Sequence, residues 1–145
     1  VCILDNRTTA MTGHQGNPVN GITLQHRESR ELDLPGLVRA LGVEDVAVVN
    51  PMDLKATRAA LKAAAQNADE LSVIIFCSPC VLLSKTHEPA LVVSFDCRAC
   101  GACTLIGCPA ISRDEDGKAH IDANLCVGCE QCSQTCAFGC IGKAE

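Results

Sequence analysis

The sequence has almost no aromatic residues and little positive charge. Its 145 residues include three phenylalanines but no tryptophan or tyrosine, and 12 lysines and arginines stand against 17 aspartates and glutamates. The formal net charge is −5. A nucleic-acid-binding protein needs a basic footprint for the phosphates and commonly uses aromatic platforms for the bases. The composition therefore indicates a protein without a nucleic-acid partner.

The sequence also lacks a long apolar run. No stretch approaches the roughly 20 residues of a membrane-spanning helix. The opening residues, VCILDN, lack the charged region and the long apolar core of a secretory signal. We therefore expect a soluble, cytoplasmic protein with no membrane partner. Because the chain opens on valine in a strand-like stretch, we also expect it to be a fragment of a longer protein.

Cysteine, in contrast, is abundant, with 12 residues. Cytosolic thiols are kept reduced, so cysteines there hold metal or do chemistry more often than they form disulfides. Eight of them fall in two runs. The first cysteine run contains Cys97, Cys100, Cys103 and Cys108, and the second cysteine run contains Cys126, Cys129, Cys132 and Cys136.

The spacing of these runs predicts two [4Fe-4S] clusters. The pattern C-x2-C-x2-C lets one loop hold three corners of a cluster, and the fourth cysteine of each run ligates the other cluster. The first sulfur set is then Cys97, Cys100, Cys103 and Cys136, and the second sulfur set is Cys126, Cys129, Cys132 and Cys108. Two departures from the bacterial pattern are Ala137 in place of proline and one extra residue before Cys108.

Other interpretations of the cysteines are weaker. Tetrahedral zinc sites usually separate two C-x2-C pairs by a longer arm, and a disulfide framework does not suit the compartment. Among the remaining cysteines, Cys140 and Cys2 are expected to be small core side chains. The C-x2-C pair of Cys77 and Cys80 has the spacing of a redox pair or half a metal site, but the intervening Pro79 suits a turn, and we favour a structural role.

Residues 1–90 show the alternation of an α/β domain. The apolar, β-branched runs VCILD, VAVVN and LSVIIF predict strands of a parallel sheet. The segment LPGLVRALG predicts a helix with Leu37, Val38 and Leu41 on one face, and an Ala- and Lys-rich helix is expected to begin at Asp53 as its N-cap. Residues 13–31 have no sustained period and are predicted to form a loop.

The end of the first strand carries candidate cofactor ligands. In a parallel sheet, ligands bind just beyond the carboxyl ends of the strands. Asn6 and Thr8 offer neutral oxygens there, and Thr12 offers a hydroxyl donor, which suits a Mg²⁺-diphosphate. An Asn/Thr turn that merely ends the strand is the alternative.

Residues 91–145 are predicted to form the cysteine-rich module. Between the two runs, AISRDEDGKAHID indicates a hairpin that turns at Asp116 and Gly117. The expected fold is therefore an α/β domain over residues 1–90, followed by an α+β module of the bacterial two-cluster ferredoxin type.

The segments LDNRTTAMTGHQ, LGVEDVAVVNPMDLKAT and SVIIFCSPC, followed by the cysteine runs, occur in a recognisable order. They resemble the large subunits of indolepyruvate:ferredoxin oxidoreductases, within the thiamine-diphosphate-dependent 2-oxoacid:ferredoxin oxidoreductase family. The resemblance covers essentially the whole chain, and the extra residue before Cys108 is familiar in these subunits. It implies that residues 1–90 are the C-terminal part of a truncated thiamine-diphosphate-binding domain.

The resemblance also implies an activity, the oxidative decarboxylation of an aryl pyruvate to acyl-CoA and CO₂. The implied cofactors are thiamine diphosphate, Mg²⁺ and two [4Fe-4S] clusters. The implied partners are a smaller β subunit, ferredoxin as electron acceptor, coenzyme A and an aryl 2-oxoacid. By position, Asn6 would ligate Mg²⁺ through its side chain, Thr8 through its backbone carbonyl, and Thr12 would lie beside the cofactor.

Two parts of the family's machinery are expected outside these residues. They are the Gly-Asp pair that supplies a further Mg²⁺ ligand and the glutamate that activates the cofactor. We therefore assign no catalytic residue here and expect no turnover from this stretch alone. The alternatives are a non-catalytic iron-sulfur electron carrier, or the same enzyme class acting on another 2-oxoacid.

Overall fold

Two units make up the structure, a computed structural model that describes residues 1–67 and 69–144. The first unit is Val1–Ser84 and the second is Lys85–Glu145. The boundary lies six residues before the one predicted after residue 90. Residues 85–90 belong to the second unit because Glu88 contacts its side chains, with Lys143 Nζ 3.2 Å from Glu88 Oε2.

The three β-branched runs of the first unit form one sheet. Strands β1 (Cys2–Asp5), β2 (Asp45–Val49) and β3 (Ser72–Cys77) lie in the order β1-β3-β2, and both pairings are parallel. The predicted parallel sheet is confirmed. Asp5 pairs with Cys77, so the carboxyl ends of β1 and β3 meet at one edge of the sheet.

Each of the two helices of the first unit begins at an aspartate cap. Helix α1 is Leu34–Ala40, and helix α2 is Leu54–Gln66. As predicted, Asp53 caps α2: its Oδ1 accepts a hydrogen bond from the backbone N–H of Ala56 at 2.9 Å. Such a cap satisfies one of the N–H groups that a helix start leaves without an intrahelical partner.

The predicted apolar face of α1 is wrong in part. Val38 is buried as expected, but Leu37 and Leu41 are 43% and 76% exposed. Val38 packs with Val73 and Ile75 of β3, and Leu34, one turn earlier on the same side, supports it. A seven-residue helix buries only one narrow row of side chains against a three-stranded sheet. Leu37 and Leu41 lie beside that row and stay exposed.

Two further expectations for the first unit meet different outcomes. Cys2 is exposed rather than part of the core, and it lies on β1, one of the two edge strands of the sheet. Residues 13–31 contain no β-strand or α-helix, as predicted, although Pro18–Asn20 forms a short 3₁₀ turn. A second 3₁₀ turn, Ala10–Thr12, lies just before this loop.

The second unit combines two small antiparallel ladders with two short helices among its described residues. Strand β4 (Leu91–Val93) pairs with β7 (Ile141–Lys143), and β5 (Ile111–Arg113) pairs with β6 (Ala119–Ile121). A 3₁₀ helix (Ala102–Ile106) and helix α3 (Gln131–Thr135) carry parts of the cysteine runs. The β5-β6 hairpin is the predicted one, and the chain reverses through Gly117 at φ 76°. The core of the second unit includes the buried residues Leu91, Cys103, Cys132 and Ile141.

Across the described ranges 1–67 and 69–144, no helix combines the length and the apolar character needed to cross a membrane.

Candidate functional site

Five cysteines line one cavity of the second unit, the four of the first sulfur set and Cys140. Cys97, Cys100 and Cys103 of the first cysteine run share this lining with Cys136 of the second. The structure thus brings together the four residues of the first sulfur set. It does so because β7, which follows Cys136, pairs with β4, which precedes Cys97.

The chain turns sharply around this cavity. Ala99 and Gly101 both have positive φ angles, 54° and 74°, which fold the first run back on itself between successive cysteines. Cys103 lies on the 3₁₀ helix and is 7% exposed. Burial raises the pKa of its thiol, and the negative charges of Cys97, Cys100 and Cys136 raise it further. Four thiolates in one place therefore call for positive charge between them.

Cys136 is surrounded by backbone donors. Its Sγ accepts a hydrogen bond from the N–H of Cys140 at 3.2 Å. Burial acts to raise its pKa, but hydrogen bonds from the backbone of Cys140, Phe138 and Gly139 outweigh burial and lower it. A thiolate stabilised in this way is a ready metal ligand.

The second sulfur set is brought together in part. Cys132 lies buried on α3, and its pKa is raised to about 11, first by burial and then by the charges of Cys129 and Cys126. Cys108 is half-buried just before the β5-β6 hairpin, where its carbonyl oxygen accepts a hydrogen bond from Ile111 N at 3.1 Å. Its membership of the second sulfur set stays a prediction.

The ligand atoms of the first sulfur set decide what kind of group the cysteine-lined cavity can hold. Within residues 1–67 and 69–144, no three His, Cys, Asp or Glu side chains form a site for a single metal ion. The first sulfur set nevertheless offers four soft sulfur ligands around one cavity, with N–H donors to one of them. Thiolate ligands with hydrogen bonds to sulfur are compatible with an iron-sulfur cluster.

The candidate diphosphate ligands lie beyond the carboxyl end of β1. Asn6 Oδ1 accepts a hydrogen bond from Thr8 N at 3.2 Å, while the Asn6 carbonyl accepts one from Cys80 N at 2.9 Å. Thr8 is buried, and its hydroxyl donates to the Gln15 carbonyl at 3.2 Å. Asn6 and Thr8 are therefore adjacent and fixed at the sheet edge.

Thr12 lies further along the same loop. Its hydroxyl donates to Gln15 Oε1 at 2.6 Å, and its carbonyl accepts a hydrogen bond from Gln15 Nε2. A cavity of about 930 Å³ borders this region and is lined by residues that include His14, His26 and Arg30. Gln15 links Thr8 to Thr12 through these contacts, so the three candidate ligands belong to one hydrogen-bonded loop.

A charged network at this edge was missed by the sequence reasoning. Arg7 Nε lies 3.4 Å from Asp5 Oδ2, and Cys77 Sγ lies 3.5 Å from the same oxygen. A hydrogen bond to Cys77 raises the pKa of Arg7, and the charge of Asp5 adds to this effect. The parallel strand order could have predicted the contact, because Asp5 and Cys77 end paired strands.

Comparison with known proteins places the first unit in a defined family. Residues 1–76, just over half of the chain, match the family described as thiamine pyrophosphate enzyme, C-terminal TPP binding domain. No solved structure gave a significant match.

Several curated relatives extend the similarity over both units. The chain is 40% identical to indolepyruvate oxidoreductase subunit IorA of Methanothermobacter thermautotrophicus, over 96% of this chain and 23% of the relative. It is 38% identical to IorA of Archaeoglobus fulgidus, over 99% of this chain and 24% of the relative. It is 35% identical to IorA of Pyrococcus horikoshii, over 100% of this chain and 24% of the relative. The chain thus spans about a quarter of the length of these relatives.

Proposed function

Because this chain belongs to the thiamine pyrophosphate enzymes through their C-terminal TPP binding domain, we propose that it is part of the large subunit of a 2-oxoacid:ferredoxin oxidoreductase. The proposed reaction is the oxidative decarboxylation of indolepyruvate to its acyl-CoA and CO₂, with electrons passed to ferredoxin. The observation that carries the proposal is that one chain has both a match to this domain and, in its second unit, a cavity whose lining includes all four cysteines of the first sulfur set. The names of the relatives support the substrate.

The residues at the carboxyl end of β1 would hold the diphosphate end of the cofactor. Asn6 Oδ1 already accepts one hydrogen bond, and an amide oxygen has a second lone pair for Mg²⁺. The carbonyl of Thr8 would be a second ligand, and Thr12 would lie beside the cofactor. When bound, thiamine diphosphate supplies the carbanion chemistry, while the protein supplies placement.

The cysteines of the second unit would hold the electron-transfer groups. The first and second sulfur sets would each ligate one [4Fe-4S] cluster, which takes up one electron at a time. The proposed partners are a smaller β subunit, coenzyme A, the 2-oxoacid and ferredoxin. An acidic ferredoxin would need a basic residue on this unit, such as Arg98 or Lys143. Lys143 is engaged by Glu88 and Glu130 at 3.2 and 3.3 Å, which favours Arg98.

Analysis of the whole protein that carries this stretch tests the proposal. Anaerobically purified protein should contain about eight irons and eight sulfides per chain, and the reduced form should show two interacting EPR signals. It should bind thiamine diphosphate with Mg²⁺ and reduce ferredoxin when indolepyruvate and coenzyme A are both present. Stoichiometric zinc without an EPR signal would overturn the cluster assignment.

The competing function is a non-catalytic electron carrier. It is favoured by the cysteine-lined cavity, whose described lining residues all belong to the second unit. Isothermal titration calorimetry separates the two functions. An iron-loaded whole protein that fails to bind thiamine diphosphate would support the carrier, whereas binding followed by preference for another 2-oxoacid would change only the substrate.

A further inference from the structure

The guanidinium group of Arg113 lies against the first cysteine run. Gly101, between Cys100 and Cys103, has φ 74°, and a Cβ built on it would overlap the Arg113 guanidinium, 2.7 Å from its Cζ. Glycine therefore serves two purposes here. It tolerates the left-handed backbone and leaves room for the arginine to cover the loop between the two cysteines.

The same arginine also lines the cavity of the first sulfur set. Arg98 and Arg113 are the charged side chains of that lining, which contains no carboxylate among the residues that the structure describes. The loop before the 3₁₀ helix, which carries Arg98, and the end of β5, which carries Arg113, thus place two positive charges around four sulfur ligands. An added electron on a group held there is stabilised by these charges.

In the second cysteine run, a negatively charged residue follows the middle cysteine. In both runs the two residues that flank the middle cysteine have positive φ: Ala99 and Gly101 in the first run, and Gly128 and Glu130 in the second. Glu130 therefore occupies the position that Gly101 occupies in the first run, directly after the middle cysteine. The backbone has positive φ at both positions, but the second run has an acidic side chain there, whereas the first run has a glycine covered by the Arg113 guanidinium.

The surroundings of Glu130 add a second carboxylate. Glu130 Oε1 and Glu88 Oε2 share one cation, Lys143, at 3.3 and 3.2 Å. Glu88 also packs against the second run, since a Cβ on Gly128 would lie 2.9 Å from its carbonyl oxygen. Two carboxylates and one ammonium leave a net negative charge beside this run.

We propose that the charges of Arg113 and Glu130 set the order of the two reduction potentials. The positive charge of Arg113 makes the cluster of the first sulfur set the more easily reduced, and the negative charge of Glu130 makes the other cluster harder to reduce. This inference rests on the proposed function, because it needs both clusters. A single electron would then reside mainly on the first cluster, and the second would pass electrons towards it. The sequence spacing of the runs gives no such direction.

An EPR-monitored redox titration of the whole, anaerobically purified protein tests this order. Arg113→Gln should lower the equilibrium constant for one-electron reduction of the more easily reduced cluster by about three- to tenfold. A tenfold change corresponds to about 59 mV for one electron. Arg113→Lys, which keeps the charge, should restore most of the constant. Lys62→Gln, which removes an exposed positive charge of the first unit, should leave both constants unchanged.

A second set of variants identifies which cluster responds. In a Cys132→Ala background only the first sulfur set keeps four ligands, and the remaining cluster should still respond to Arg113→Gln. In a Cys100→Ala background the remaining cluster should not respond to it. Glu130→Gln tests the other half, because it should make the less easily reduced cluster easier to reduce by a similar factor.

Iron analysis separates failure of the inference from failure of the proposed function. A wild-type protein without iron would overturn the proposed function itself. Full iron content together with unchanged potentials in Arg113→Gln, or a change confined to the second cluster, would overturn only the assigned order. Because Arg113 is exposed, the effect should also shrink as the ionic strength rises.

Discussion

Replacement of Cys136 by alanine tests the crossed arrangement of the two cysteine runs. Cys136 belongs to the second run in sequence but lines the cavity of the first three cysteines of the first run. Its loss should therefore remove the cluster at the first run and leave the cluster at its own run intact. An uncrossed arrangement predicts the reverse.

The size of the effect follows from the ligand sets. Iron should fall from about eight to about four per chain. Three thiols should become open to alkylation, in an order set by exposure: Cys100 is exposed, Cys97 is half-buried and Cys103 is buried. Cys103 should be slowest for a second reason, because its raised pKa leaves less thiolate at neutral pH.

Iodoacetamide labelling followed by peptide mass spectrometry provides the assay. Under anaerobic conditions, the wild-type protein should protect all eight thiols of the two sulfur sets. The variant should protect only Cys108, Cys126, Cys129 and Cys132. The matched control is Cys140→Ala, which removes a buried cysteine from the same cavity without removing a proposed ligand, and it should keep about eight irons.

Labelling of the second run would refute the reasoning. If Cys136→Ala exposes Cys126, Cys129 and Cys132 while Cys97, Cys100 and Cys103 stay protected, the shared cavity does not reflect shared ligation. Loss of iron in the Cys140→Ala control would also contradict it, because that result would make Cys140 a ligand.

Three further predictions concern the first unit. Ile75→Ala should lower its free energy of unfolding by about 2 to 5 kcal/mol, because Ile75 is 2% exposed in the core. The control Val48→Ala, at a residue 54% exposed on the neighbouring strand, should lower it by less than about 1 kcal/mol. Urea denaturation with hydrogen exchange measures both. Asp53→Ala should cost about 1 kcal/mol through loss of the helix cap, and a cost near zero in the same measurement would refute that role. The pKa of Asp45 should lie below its ordinary value of 3.8, because Ser72 and then Asn67 hydrogen-bond to its carboxylate. The stability from Asp45 is therefore complete above pH 3.8 and is lost as the pH falls through the lowered folded pKa; carboxyl carbon NMR should show Ser72→Ala raising that pKa.

The strands of the first unit could be predicted because each one is marked by the residue types of a single short segment. The runs that form β1, β2 and β3 are β-branched and apolar, and the pattern of strand and helix alternation favours parallel pairing. The cap at Asp53 was equally readable, since an aspartate before an Ala- and Leu-rich stretch is a common helix start. The exposure of Leu41 was not, because it depends on how far a small sheet extends beneath α1.

The surroundings of the cysteines depend on contacts between distant parts of the chain. Spacing alone indicates which cysteines share a turn, but the pairing of β4 with β7 and the placement of Arg113 over Gly101 join residues far apart in sequence. The network of Arg7 with Cys77 is of the same kind. Such contacts arise from topology, and a pattern of residue types in one segment does not contain them.

The β4-β7 ladder has a consequence for biogenesis. The first three thiols of the first run are synthesised well before Cys136 and β7, so a nascent chain holds an incomplete first sulfur set that no local segment can complete. Bringing β4 and β7 together closes a long loop at an entropic cost, which the contacts of the ladder help to offset. The first sulfur set is therefore complete only after translation has passed Cys136, and the ladder that holds it together only after Lys143.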